Sequence, residues 1–91
     1  MEAFKLNVEE RIKHLDFNND KELIEFIKEM NSELYNGKDN EGNIIVFGID
    51  KGVGIRVSTY QSNGWIRINE YTIEKDEEGN EYIERAELYD K

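Results

Sequence analysis

His14 is the only histidine of the chain, so any imidazole acid–base chemistry would rest on it. A catalytic histidine needs a nucleophile or an orienting carboxylate within hydrogen-bond reach. Asp16 lies two residues on, and on a helix only i+3 and i+4 neighbours face each other. His14 therefore reads as a structural or surface side chain. The chain holds no GxSxG and no HExxH, and it has no cysteine to act as nucleophile. Asp16, Asn18 and Asp20 match positions one, three and five of a calcium loop. The match then fails, with Lys21 where the turn requires glycine and Ile27 where a bidentate glutamate belongs. These residues read better as the loop and cap before a helix. Gly48, Gly52 and Gly54 resemble a phosphate loop in composition, but no helix follows to receive a phosphate at its N-terminus. They read as hairpin glycines. No catalytic residue, metal ligand or cofactor site emerges, and the expectation is a protein that is not an enzyme.

Two features remain, and both suit binding. The first is charge. Twenty-one acids against twelve bases leave 91 residues with a net charge of −9. Residues 70–91 hold nine acids and three bases, so −6 of that total sits in the last 22 positions. The acids are Glu70, Glu74, Asp76, Glu77, Glu78, Glu81, Glu84, Glu87 and Asp90. Same-face residues of a strand recur about every 6.5–7 Å. A row of carboxylates at that pitch approximates the phosphates of one nucleic-acid strand and suits a basic groove. Direct binding to nucleic acid or an anionic membrane is disfavoured, because such binding draws on phosphate neutralisation by Lys and Arg. The second feature is the aromatic set Tyr60, Trp65 and Tyr71 around Asn63-Gly64, with Arg67 beside it. Trp, Tyr and Arg are the common anchors of interfaces. Tyr60 and Trp65 are expected to pair across the hairpin.

These residues must be carried by a single domain spanning 1–91. Phe4, Val8, Ile12 and Leu15 share one helical face and predict a helix over 3–15. Asn19 with Glu22 has capping-box spacing, and Leu23, Ile24, Ile27, Met30 and Leu34 trace a stripe. That stripe predicts a helix over 20–36, stopped by Asn36-Gly37. From Asn43 the period becomes that of strands. Ile44 to Ile49 reads as a central strand, Val53 to Tyr60 as a half-buried one. Asn63-Gly64 reads as a type I′ hairpin turn. In the strand that follows, Ile66 and Ile68 share one face while Tyr71 and Ile73 share the other, which predicts a bulge near Asn69-Glu70. Tyr82 to Leu88 reads as a charged edge strand. The expected fold is α+β: two N-terminal helices packed on one face of a four-stranded antiparallel meander, in the order α-α-β-β-β-β. No internal repeat stands out.

The Ile-, Lys-, Glu- and Asn-rich composition looks like that of a low-GC bacterial or phage gene product. The stretch Tyr60-Gln61-Ser62-Asn63-Gly64-Trp65-Ile66-Arg67-Ile68-Asn69-Glu70-Tyr71, with the chain's size and acidity, resembles small acidic phage-type proteins of the anti-CRISPR kind. The resemblance implies an inhibitor that occupies the nucleic-acid channel of a basic enzyme. The expected protein is then a non-enzymatic, cytoplasmic nucleic-acid mimic. Its acidic contacts would be Glu70, Glu74, Asp76, Glu77, Glu78, Glu81, Glu84 and Glu87, its anchors Tyr60, Trp65, Arg67 and Tyr71. A nuclease immunity protein or antitoxin uses the same physics on another target. A homo-oligomer held by the aromatic patch is the alternative from a different class. The absence of an apolar run of about 18 residues predicts no membrane span, and the absence of a basic flank before an apolar run predicts no secretory leader.

Overall fold

A computed structural model describes residues 10–91. Residues 10–13 form the helical end of α1, closed by short bonds from the His14 and Leu15 amides to the Arg11 and Ile12 carbonyls. The expected helix over 3–15 otherwise lies outside the described residues. Helix α2 spans Asp20–Glu29. Five strands follow: β1 Glu33–Lys38, β2 Ile44–Asp50, β3 Gly54–Tyr60, β4 Ile66–Lys75 and β5 Glu81–Asp90. Each pairs antiparallel with its neighbour in sequence, giving the order β1-β2-β3-β4-β5.

The α+β class and the meander are as the sequence predicts, but the sheet has five strands and not four. The reason lies at the end of α2. Asn19 caps the helix, its side chain accepting from the Glu22 amide at 3.1 Å. Glu22 reaches back past the cap to the Asp16 amide at 3.3 Å. At the other end the helix stops at Glu29, seven residues before the expected limit. No glycine stops it. Tertiary groups take the last carbonyls instead. The Gly52 amide donates to Ile27 at 3.0 Å and the Lys51 ammonium to Glu29 at 3.1 Å. Ser32 Oγ accepts from the Lys51 amide at 2.8 Å. The β2–β3 turn thus occupies the place where α2 would continue. The chain turns into β1, where Tyr35 points into the core and Leu34 out to solvent at 67% exposure. Gly37 lies in extended β1 rather than at a helix stop.

The core sits between α2 and one sheet face. Leu23, Phe26 and Ile27 are fully buried against Tyr35, Ile49, Ile55, Val57 and Ile83. Each such side chain contributes about 1.5–3 kcal/mol on burial. Ile12 of α1 joins them, and Arg11 ties α1 to α2 through Glu29 at 3.0 Å and over the Phe26 ring. Asp20 fastens the start of α2 to the edge strand β5. It accepts from the Ile83 amide at 3.0 Å and from the Arg85 guanidinium at 2.7 Å. Arg85 also donates to the Phe17 carbonyl at 2.8 Å.

Three of the four hairpins use one turn. Asp39-Asn40-Glu41-Gly42-Asn43, Gln61-Ser62-Asn63-Gly64-Trp65 and Asp76-Glu77-Glu78-Gly79-Asn80 each close with the fourth residue, glycine, at positive φ. In each the glycine amide donates to the first carbonyl, and the first amide to the fifth carbonyl. This is a three-residue loop with a left-handed glycine. The expected type I′ turn at Asn63-Gly64 is absent, since Asn63 keeps negative φ. Its side chain accepts from the Trp65 amide instead. The expected bulge near Asn69-Glu70 is absent too, because β4 pairs without interruption to β3 and β5. The change of phase in β4 has another cause: Tyr71 and Ile73 face the helices, while Ile66 and Ile68 face the other way.

Gly54 sits where β3 crowds β4. A Cβ there would lie 2.5 Å from the Tyr71 carbonyl oxygen. Gly54→Ala is expected to destabilise the fold by about 1–3 kcal/mol in urea unfolding. Gly48→Ala meets the exposed Leu34 side chain at 3.2 Å and the Arg56 carbonyl oxygen at an ordinary 3.8 Å, and should cost far less. Acid supplies a second test. The Ile83 amide and then the Arg85 guanidinium hold the Asp20 carboxyl below its ordinary value of 3.8. A lowered native value means stability that is present above the unfolded value and is lost as pH falls through the native one. Unfolding followed from about pH 5 to about pH 2 should therefore show a shallower acid loss in Asp20→Asn than in the wild type.

Candidate partner interface

The register divides every strand between two faces. On the helix side stand Tyr35, Phe47, Val57, Asn69 and Glu87 in one row and Ile49, Ile55, Tyr71 and Arg85 in the next. No described helix covers the opposite face. Its rows run straight across the sheet. Lys38, Ile44, Tyr60, Ile66 and Asp90 form the first. Asn36, Val46, Ser58, Ile68 and Leu88 form the second, and Leu34, Gly48, Arg56, Glu70 and Ala86 the third. Asp50, Gly54, Thr72 and Glu84 follow, then Glu74 with Tyr82.

This open face has two halves of different chemistry. The first two rows carry the apolar Ile44, Val46, Tyr60, Ile66, Ile68 and Leu88, interrupted by Ser58 on β3 and edged by Asp90 on β5, with Ile44 54%, Tyr60 46% and Leu88 49% exposed. The far half is acidic. Its floor is a shallow depression of about 460 Å³ over Gly48, Gly54 and Thr72, with Asp50, Arg56 and Glu70 around it. Arg56 neutralises Glu70, its Nε and Nη2 donating to one carboxylate oxygen at 3.0 and 2.7 Å. Glu74 and Glu84 make no ion pair among the described residues. They stand diagonally across β4 and β5, at about 7 Å by sheet geometry.

The eight expected acidic contacts do not form one row. Glu70, Glu74 and Glu84 lie on the open face. Glu81 and Glu87 lie on the helix face, where Glu81 pairs with Lys28 and Glu87 accepts from the Tyr89 hydroxyl at 2.6 Å. That bond to the carboxylate is the first reason the Tyr89 phenol is pushed up. Asp76 is spent within its turn, accepting from the Glu78 and Asn80 amides at 3.0 and 2.9 Å. Glu77 and Glu78 project from the tip. What remains uncompensated is a group of four: Glu74 and Glu84 on the open face, Glu77 and Glu78 at the adjoining tip. The cause is the period of two, which sends residues three apart, such as Glu81, Glu84 and Glu87, to alternate faces.

The anchor set is likewise divided. Tyr60 opposes Ile66, so it does not pair with Trp65, which opposes Gln61. Alternation carries Trp65 to the other side of the sheet from Tyr60, where the Lys91 ammonium lies 5.3 Å from its ring centroid. Arg67 and Tyr71 are on the helix face. The Tyr71 ring packs on Phe17 at 5.0 Å, and burial pushes its phenol up. Only Tyr60 of the four belongs to the open face. Ile44, Val46, Ile66, Ile68 and Leu88, which share that face, are not among the contacts expected from the sequence. The signal was the change of phase in β4, which marks apolar groups on both faces.

Among the described residues, groups capable of catalysis are not brought together. His14 is exposed and lies 3.2 Å from Glu10, one turn away on α1. Asp16 turns back on its own loop, accepting from the Asn18 amide at 3.0 Å. A cleft of about 630 Å³ between α1 and the β1–β2 hairpin offers Lys13, Lys38 and Tyr35 but no carboxylate or imidazole in its described lining. No cluster of three potential metal ligands exists among the described residues. No described helix is long and apolar enough to cross a membrane. Compared with known proteins, the chain matches no family model, no curated protein and no solved structure.

Proposed function

We propose that this chain is a non-enzymatic inhibitor that docks on a basic, nucleic-acid-binding surface of a partner protein, as an anti-CRISPR protein would. The observation that supports this reading is the group Glu74, Glu77, Glu78 and Glu84, without an ion pair among the described residues and gathered at one end of the β4–β5 hairpin. Each was free to acquire a basic neighbour, as Glu70 and Glu81 have done. Glu74 and Glu84 stand about 7 Å apart on paired strands and Glu77 and Glu78 on the turn that joins them, which gathers the negative charge at one end of the hairpin. Such a pattern accelerates encounter with a positive surface and makes association sensitive to salt. A cytoplasmic setting fits such a target.

The test is retention of a basic nucleic-acid enzyme from host lysate by the tagged chain, at low and high salt and with DNA or RNA as competitor. Displacement by nucleic acid and by salt is expected. Against the purified target, the double variant Glu74→Lys/Glu84→Lys should lower the association rate by roughly tenfold or more, with a smaller effect on dissociation. An unchanged association rate would overturn the reading.

A further inference from the structure

The apolar half of the open face lies away from the acidic end and is not used by the docking just described. We propose that it is the seat of a second copy of this chain, packed sheet to sheet about a two-fold axis parallel to β3. The arrangement of the first two rows argues for this occupant.

β3 is the central strand of five. A two-fold axis along it places β3 over β3, and β1 of one copy over β5 of the other, while each row stays over itself. In the first row Lys38 stands at the β1 edge and Asp90 at the β5 edge. The rotation sets Lys38 of each copy over Asp90 of the other, giving two ion pairs at opposite rims of one interface. Between them Ile44 meets Ile66 twice, and Tyr60 meets Tyr60 at the axis. In the second row Val46 meets Ile68, and Leu88 lies over Asn36. In the third, Glu70 falls over Gly48 and Arg56 over Arg56 at the axis, each guanidinium neutralised by its own Glu70. A surface that reads as its own complement under one rotation is what an isologous dimer requires.

The area is sufficient. Five strands about 4.8 Å apart and three rows about 6.8 Å apart cover close to 500 Å² in projection on each copy. Two copies bury about 1,000 Å², the size from which specific interfaces begin. Facing sheets pack about 10 Å apart. A lysine reaching an aspartate spans that gap. The rotation preserves position along the strands, so both hairpin tips, with Glu77 and Glu78, point the same way beyond the three paired rows. Dimerisation and the docking reading can therefore fail independently.

The experiment is the solution mass of the full chain by sedimentation over a range of micromolar concentrations, with circular dichroism to verify folding. The wild type is expected to be a dimer. Leu88→Lys and Tyr60→Lys alter exposed side chains and should give folded monomers. Lys38→Asp and Asp90→Lys each turn two attractive pairs into repulsive ones, and should each raise the dissociation constant roughly tenfold. The double variant Lys38→Asp/Asp90→Lys exchanges the charges across the axis and should restore most of the affinity. A wild type that stays monomeric, a dimer indifferent to Leu88→Lys, or a double variant no better than the singles would each overturn the proposal.

Discussion

Asp20 and the β2–β3 turn hold the two ends of α2, and the arrangement of the molecule follows from those two attachments. The carboxylate in the first helical turn favours the positive end of the helix dipole and at the same time accepts from the Ile83 amide of an edge strand. At the far end the Gly52 amide and the Lys51 ammonium replace the C-terminal capping that the sequence lacks. The helix is only ten residues long, and Leu23, Phe26 and Ile27 are its fully buried contribution. Fixed at both ends, it covers the rows through Ile55 and Ile83, and no described helix covers the opposite sheet face. One short helix cannot serve both faces of five strands.

That limitation gives the uncovered face its character. A face left to water in an antiparallel sheet ordinarily reads polar. Here two of its rows read apolar and the remainder acidic, with the boundary near Arg56 and Glu70. The two surfaces call for different neighbours. Apolar rows are stabilised by a matching apolar surface, and the unpaired carboxylates by positive charge. A face-to-face pair would present two acidic ends side by side, which enlarges the negative surface without adding a residue.

Much of the fold was legible in the sequence. Cap, stripe and period identified α2 and the four later strands, because those signals are local. The end of α2 was not legible. Leu34 continues the helical spacing of Met30, and what stops the helix is a turn some twenty residues later. The bulge expected near Asn69 had the same kind of cause: alternation alone cannot distinguish a slipped strand from one with apolar groups on both faces. The repeated turn was legible and passed unread, although Asp39 and Asp76 each stand three residues before glycine and four before asparagine. For the candidate site, charge counting found the acidic hairpin but not which carboxylates are paired. That depends on cross-strand neighbours such as Arg56 and on Lys28 of the helix.

The meander also shapes how the chain reaches this structure. Every strand pairs with its neighbour in sequence, so each hairpin closes a short loop at small entropic cost. The bonds of Asp20 to Ile83 and Arg85 are different, joining residues 63 and 65 positions apart. Such contacts are gained only after the strands between them are in place. They belong to the late side of the folding barrier, so they govern how slowly the protein opens rather than how quickly it forms. Asp20 thus ties β5, the strand that carries part of the acidic end, to the start of a helix more than sixty residues before it.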